Sequence, residues 1–154
     1  MNPMAELTGK PFHILLIEDN EDHAELVIRS LRDLPVKNTI HHVPDGEQAL
    51  DYLFRRNAFI DSVQNPRPDL VLLDLRLPRV DGLEVLRIVK TTPLLLRIPV
   101  VVLTSSDAGN DIAQAYDYHA NSYIVKSMDF RTFTRIMTDL GSYWLGCNVL
   151  PKED

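Results

Sequence analysis

The chain has 154 residues, 45% of them apolar and 25% charged, with a formal net charge of −6 and one cysteine. That is enough apolar side chain for the core of a single ordinary domain without a disulfide or structural metal, and the lone Cys147 excludes an internal disulfide and suits a reducing cytosol. No apolar run approaches the roughly 20 residues of a membrane span, Met1 to Pro11 lacks the basic-then-apolar order of a secretion signal, and an acidic balance without a basic run argues against sequence-independent nucleic-acid binding.

Short apolar runs alternate with segments of helical period, the pattern of a doubly wound α/β fold. A first strand is expected at about 12–18. A helix follows at about 21–33, with Ala24, Val27, Ile28 and Leu31 at helical spacing and Asn20 or Asp19 as its cap. Residues 38–43 alternate polar and apolar, which places that strand at a sheet edge. Its neighbours His41 and His42 must face opposite ways, so they make no shared metal site. Asp45-Gly46 opens a second helix with Ala49, Leu50, Leu53 and Phe54 inward, and 57–68, holding Pro66 and Pro68, is a long loop.

Residues 69–74 are apolar nearly throughout and make a central strand. Pro78 to Gly82 is a turn, and a helix over 82–91 is stopped by Pro93. A strand at 98–103, a helix at 108–118 carrying Ile112, Ala115 and Tyr116, and a strand at 122–125 come next. The last helix, 128–146, has the fullest apolar stripe: Phe130, Phe133, Ile136, Met137, Leu140 and Trp144. Cys147 reads as a packing residue, and the Tyr143-Trp144 pair as either helix packing or a dimer contact.

Every buried-looking strand ends in polar groups. Ile14 to Ile17 ends in Glu18-Asp19, Leu70 to Leu73 in Asp74, Val100 to Leu103 in Thr104-Ser105, and Tyr123 to Val125 in Lys126. In an open parallel sheet the carboxyl ends line one crevice, where ligands bind. Taken singly, each residue is more simply a cap, a turn residue or a solvated lysine. Taken in order, they place three carboxylates, a hydroxyl and an amine together. Carboxylates that close repel, and a hard divalent cation such as Mg²⁺ relieves the repulsion through oxygen ligands. One aspartate can then act as a nucleophile toward phosphorus, with Lys126 and Thr104 holding phosphoryl oxygens.

At these residues the chain resembles the receiver domains of bacterial two-component response regulators. The matching stretches run from Ile14 to Asp19 (ILLIED), Leu70 to Pro78 (LVLLDLRLP) with Asp81-Gly82, Val101 to Ser105 (VVLTS) and Ala120 to Lys126 (ANSYIVK). The resemblance implies a flavodoxin-like (βα)5 fold, a doubly wound parallel sheet of strand order 2-1-3-4-5. It divides the chain into an N-terminal extension (1–11), a receiver domain (12–146) and a C-terminal tail (147–154). It implies that Asp74 accepts a phosphoryl group from a kinase histidine, with Lys126 and Thr104 assisting. The metal would be held by the side chains of Asp19 and Asp74 and by the backbone carbonyl of Arg76, with Glu18 bound to it through water. Mg²⁺ is the implied ion, with Mn²⁺ or Ca²⁺ able to replace it in crystals. Thr104 and Tyr123 would form the switch pair. Arg76 and Ser106 stand at positions that tune phosphate lifetime in receivers.

The long loop at 57–68, the segment 91–99 (TTPLLLRIP) and the ending 143–151 (YWLGCNVLP) look like the single-domain regulators that partner phytochromes. That implies a cytoplasmic protein with a phytochrome-type sensor histidine kinase as partner, a homodimer, and output by protein binding or by relay to a phosphotransfer protein. Such a protein catalyses its own phosphorylation and dephosphorylation and is not a metabolic enzyme. One departure stands out: Ser127 follows the lysine where receivers carry proline, often after a cis bond. A cis bond here costs roughly 2.5–4 kcal/mol, so a trans loop with Ser127 capping the last helix is the simpler expectation.

Two other classes compete. A flavodoxin-like electron carrier needs backbone N–H groups around an anion after the first strand, and Glu18-Asp19-Asn20-Glu21 repels a flavin phosphate. A degenerate receiver, serving as an unphosphorylated interaction module, is disfavoured by the intact Asp19, Asp74, Thr104 and Lys126.

Overall fold

The coordinates are a computed structural model that describes residues 11–151. The expected N-terminal extension, apart from Pro11, and residues 152–154 of the expected tail lie outside the described residues. Strands and helices alternate: β1 (Phe12–Ile17), α1 (Glu21–Arg32), β2 (Asn38–Val43), α2 (Gly46–Leu53), β3 (Leu70–Leu73), α3 (Gly82–Thr91), β4 (Val100–Thr104), α4 (Gly109–Asp117), β5 (Ser122–Val125) and α5 (Phe130–Gly141). The strands form one parallel sheet in the order β2-β1-β3-β4-β5. This is the flavodoxin-like architecture the sequence implied.

Side-chain alternation along the strands builds two cores. Leu15, Ile17, Val71, Leu73, Val100 and Val102 point to one face and pack with Leu53, Val85, Leu86 and Ala115. Ile14, Leu16, Leu70, Leu72, Val101 and Leu103 point to the other and pack with Val27, Leu31, Phe133 and Met137. Because β1, β3 and β4 are covered on both faces, they are almost purely apolar. Each such fully buried aliphatic side chain contributes about 1.5–3 kcal/mol. Strand β2 sits at the edge, half exposed as its alternation requires.

Helix starts are set by short polar caps. Asn20 accepts from the His23 backbone N–H, with Glu21 and Asp22 in the first turn of α1 and Arg29 and Arg32 in its last, in line with the helix dipole. Asp45 caps α2 through the Gln48 N–H. Asp129, rather than Ser127, caps α5 by accepting from the Thr132 N–H. Ser127 serves one step earlier, accepting from the Asp129 N–H at 3.1 Å. Among the described residues no peptide bond is cis, so the loop after Lys126 is trans.

Four other expectations are corrected. The last helix does not run uniformly over 128–146: α5 covers Phe130–Gly141 and widens into a π-helical segment, Ser142–Cys147. Gly141 sits where α5 crosses α1, and a Cβ there would lie 2.3 Å from Leu34 Cδ1. Phe130 is exposed, being in the first turn before the helix reaches the core. Helix α4 turns Asp111 and Ala115, one i,i+4 face, toward the protein and leaves Tyr116 exposed. Cys147 is a free, exposed thiol. Tyr143 is exposed and meets Trp144 edge-on at 5.4 Å.

Candidate functional site

The sheet hydrogen bonds run one residue past the strands and carry the polar residues into register. Ile17 pairs with Leu73, and the Asp74 N–H donates to the Ile17 carbonyl at 3.0 Å. The Glu18 N–H donates to Val43 at 3.1 Å, and the Lys126 N–H to Thr104 at 2.8 Å. The predicted carboxylates therefore meet: Glu18, Asp19 and Asp74 offer oxygens that all lie within 4.8 Å of one another. Glu18 and Asp74 are buried and Asp19 is exposed. The cleft they line has a volume of about 220 Å³ and is shared with Arg76, Thr104, Ser105 and Lys126. A larger cavity of about 540 Å³, beside Pro68, Arg97 and Pro99, lies at the opposite, amino ends of the strands.

Lys126 is the buried cation of the site. Its Nζ donates to Asp74 Oδ2 at 3.1 Å and to Glu18 Oε1, with only 5% of its side chain exposed. Burial pushes the Glu18 carboxyl up to about 7, against the hydrogen bond from Lys126 and with added repulsion from Asp74. Burial would also raise Asp74, but the Lys126 ammonium and hydrogen bonds from Glu18, Thr104 and Lys126 outweigh it and hold Asp74 below the usual carboxylate value. Asp74 is thus an ionised, desolvated carboxylate beside a glutamate whose carboxyl is shifted toward its protonated form. With Glu18 ionised as well, one buried ammonium faces three clustered carboxylates, and a divalent cation would offset the remaining negative charge through the hard oxygens that such an ion prefers. The residues present fit such an ion.

Thr104 is fully buried, and its Oγ1 lies 3.4 Å from the Ser106 N–H. Tyr123 is half-buried and donates its phenol to the Ser106 carbonyl at 2.8 Å. The Arg76 N–H donates to Asp74 Oδ1 at 3.3 Å. Glu18, Asp19, Asp74, Arg76, Thr104 and Lys126 thus line one cleft, and Ser106 and Tyr123 stand beside it.

Three participants were not singled out. His23 places Nδ1 3.0 Å from Lys126 Nζ, and burial with the nearby ammonium lowers its pKa. His42 donates Nε2–H to the Glu18 carbonyl at 2.7 Å, while His41, facing the other way, stacks at 5.4 Å on Tyr52. Asp111 accepts from Arg76 and from Ser106 Oγ. The available signal was position: His23 and Asp111 both lie in the first turn of a helix that follows a strand, which is the sheet's ligand-binding edge.

Residues 14–138 match the response regulator receiver domain family, and the chain belongs to it. It is 45% identical over 141 residues to the probable methanogenesis regulatory protein FilR2 of Methanothrix harundinacea, covering 92% of this chain and 88% of that one. Response regulator Rcp1 of Synechocystis is 36% identical over 148 residues, 96% of this chain and 99% of that. The solved structure of the Mn²⁺-bound form of Rcp1 matches 92% of this chain and 100% of its own, with a TM-score of 0.87 at 37% identity. The phosphorylated cyanobacterial phytochrome response regulator RcpA matches 93% of this chain and 100% of its own, with a TM-score of 0.88 at 38% identity. The chain is therefore a receiver-domain protein similar to phytochrome response regulators.

Proposed function

We propose that residues 12–146 form a phosphoryl-accepting switch in which Asp74 takes the phosphoryl group of a histidine kinase. An Asp74 oxygen attacks phosphorus in line while the P–N bond to the donor imidazole breaks, the electron pair leaving with the imidazole. Lys126 Nζ transfers its hydrogen bond from the carboxylate to a phosphoryl oxygen, and the Thr104 hydroxyl donates to another. A Mg²⁺ ion on Glu18, Asp19, Asp74 and the Arg76 carbonyl would supply charge neutralisation of the transferring group. Tyr123 then repacks with Thr104 and carries the change to α4, β5 and α5. Residues 1–11 and 147–154 flank this unit.

The observation that carries the reading is the ionised, buried Asp74 held by Lys126. The test is Mg²⁺-dependent labelling by radioactive acetyl phosphate, with Asp74→Asn as the control. A wild-type chain that takes no label would make it the degenerate interaction module instead.

The likeness to Rcp1 and RcpA supports a phytochrome-type kinase as donor, and the exposed Tyr143 supports a homodimer through the last helix. Output runs through phosphorylation-dependent binding or relay to a phosphotransfer protein. Among the described residues no helix is long and apolar enough to cross a membrane, which accords with a cytoplasmic role. The higher identity to FilR2 favours a second reading, in which the donor kinase serves a metabolic regulatory circuit. Light-dependent transfer from a phytochrome kinase to the purified chain, or its absence, separates the two.

A further inference from the structure

We infer that Asp111 is a positioning residue for the reaction at Asp74: it holds the Arg76 guanidinium against α4 and so leaves the phosphoryl group open to water. The inference rests on the acceptor role proposed for Asp74.

Arg76 is rooted at the acceptor, since its backbone N–H donates to Asp74 Oδ1. Its side chain is 63% exposed, so solvent leaves it free to swing. Asp111 is what fixes it. The Asp111 side chain is 12% exposed, and its Oδ2 accepts both from Arg76 Nη2 and, at 2.5 Å, from Ser106 Oγ. An acidic residue in the first turn of a helix is ordinarily a solvated partner of the helix dipole. That role needs neither burial nor two donors from separate loops, one of them 35 residues away. The carboxylate instead ties the loop after β3 to the loop after β4 at the mouth of the cleft.

A phosphoryl group on Asp74 brings new charge to the other side of Arg76. The planar guanidinium pairs well with either a carboxylate or a phosphoryl group, so the two acids compete for it. When Asp111 keeps it, a water oxygen can attack phosphorus. The acyl P–O bond breaks, its electron pair returns to the Asp74 carboxylate, and the water proton leaves with inorganic phosphate. When Arg76 turns to the phosphoryl oxygens, it covers that approach. Asp111 is then left to Ser106 alone, and Ser106 is the residue that also receives the Tyr123 phenol.

The experiment follows label decay after the full chain is phosphorylated with radioactive acetyl phosphate and Mg²⁺ and the donor is removed. Asp111→Asn, which keeps the shape and loses the charge, is expected, once labelled, to lose its label about fivefold more slowly than wild type, the size of a typical coupling between contacting groups. Asp111→Glu restores decay to within about twofold of wild type on the same basis. In an Arg76→Ala background, Asp111→Asn has no further effect, an outcome that a merely structural role for Asp111 would not produce. Asp111→Ser serves in its place if the Asn variant does not fold. Unchanged decay in a labelled Asp111→Asn chain, or an equal slowing with and without Arg76, overturns the inference alone. A wild-type chain that takes no label overturns the acceptor reading and this inference with it.

Discussion

Lys126 Nζ and Asp74 Oδ2 are 3.1 Å apart, and the same ammonium also binds Glu18. One cation thus bridges the ends of β5, β3 and β1. The bridge decides which acid is charged: it keeps Asp74 ionised, while burial drives the Glu18 carboxyl the other way.

Removing that cation should damage chemistry more than folding. Lys126→Ala is expected to slow labelling by acetyl phosphate by about 10²-fold, the usual loss when a preorganised charge-stabilising donor is removed. Asp74→Asn should abolish labelling. Both variants should keep the wild-type circular dichroism spectrum. Full-rate labelling of Lys126→Ala would refute the role given to the ammonium.

A divalent ion should stabilise the folded chain by relieving the clustered carboxylates. At 100 times its Kd, Mg²⁺ adds about 2.7 kcal/mol, which raises the melting temperature by several degrees, and a chelator reverses the rise. Asp19→Asn should shrink the effect. Melting curves that coincide with and without saturating Mg²⁺ would rule the metal site out.

Tyr52 provides a pH signature remote from the cleft. It is buried, donates to the Pro66 carbonyl at 2.8 Å, and burial pushes its phenol up to about 12. Its folded value lies above the unfolded value of about 10. The stability linked to the neutral phenol is therefore complete below pH 10 and is lost as pH rises through 12. Absorbance titration of the native chain should show a late tyrosinate step that Tyr52→Phe removes. A native chain with no step above pH 11 would contradict this.

Gly82 is required by a close approach. A Cβ at that position would lie 2.2 Å from the Asp74 carbonyl oxygen and 2.5 Å from Leu75 Cα. Gly82→Ala should push the acceptor loop away and cost about 1–3 kcal/mol, read as a lower denaturant midpoint together with slower labelling. A variant as stable and as reactive as wild type would show that the loop yields freely.

The fold was legible because strand burial writes itself directly into residue type. Leu70 to Leu73 had to be central, and the alternation around Ile40 had to be an edge. The cleft was legible for the same reason, since each polar residue marks where an apolar strand stops. Less visible were contacts set by helix rotation. Helix α4 is short and weakly apolar, so Ile112, Ala115 and Tyr116 suggested a face that Asp111 and Ala115 in fact provide. The widening at Ser142 was hidden because the apolar stripe through Leu140 and Trp144 reads the same for a regular helix as for a π-helical turn. Cys147 closes the π-helical segment rather than a tail packed on the domain, and its thiol is exposed there.

The backbone bonds that tie Asp74 to Ile17 and Lys126 to Thr104 have a kinetic corollary. The amides of Asp74 and Lys126 belong to the same hydrogen-bonded ladder as the sheet, so opening the cleft amounts to unzipping the sheet.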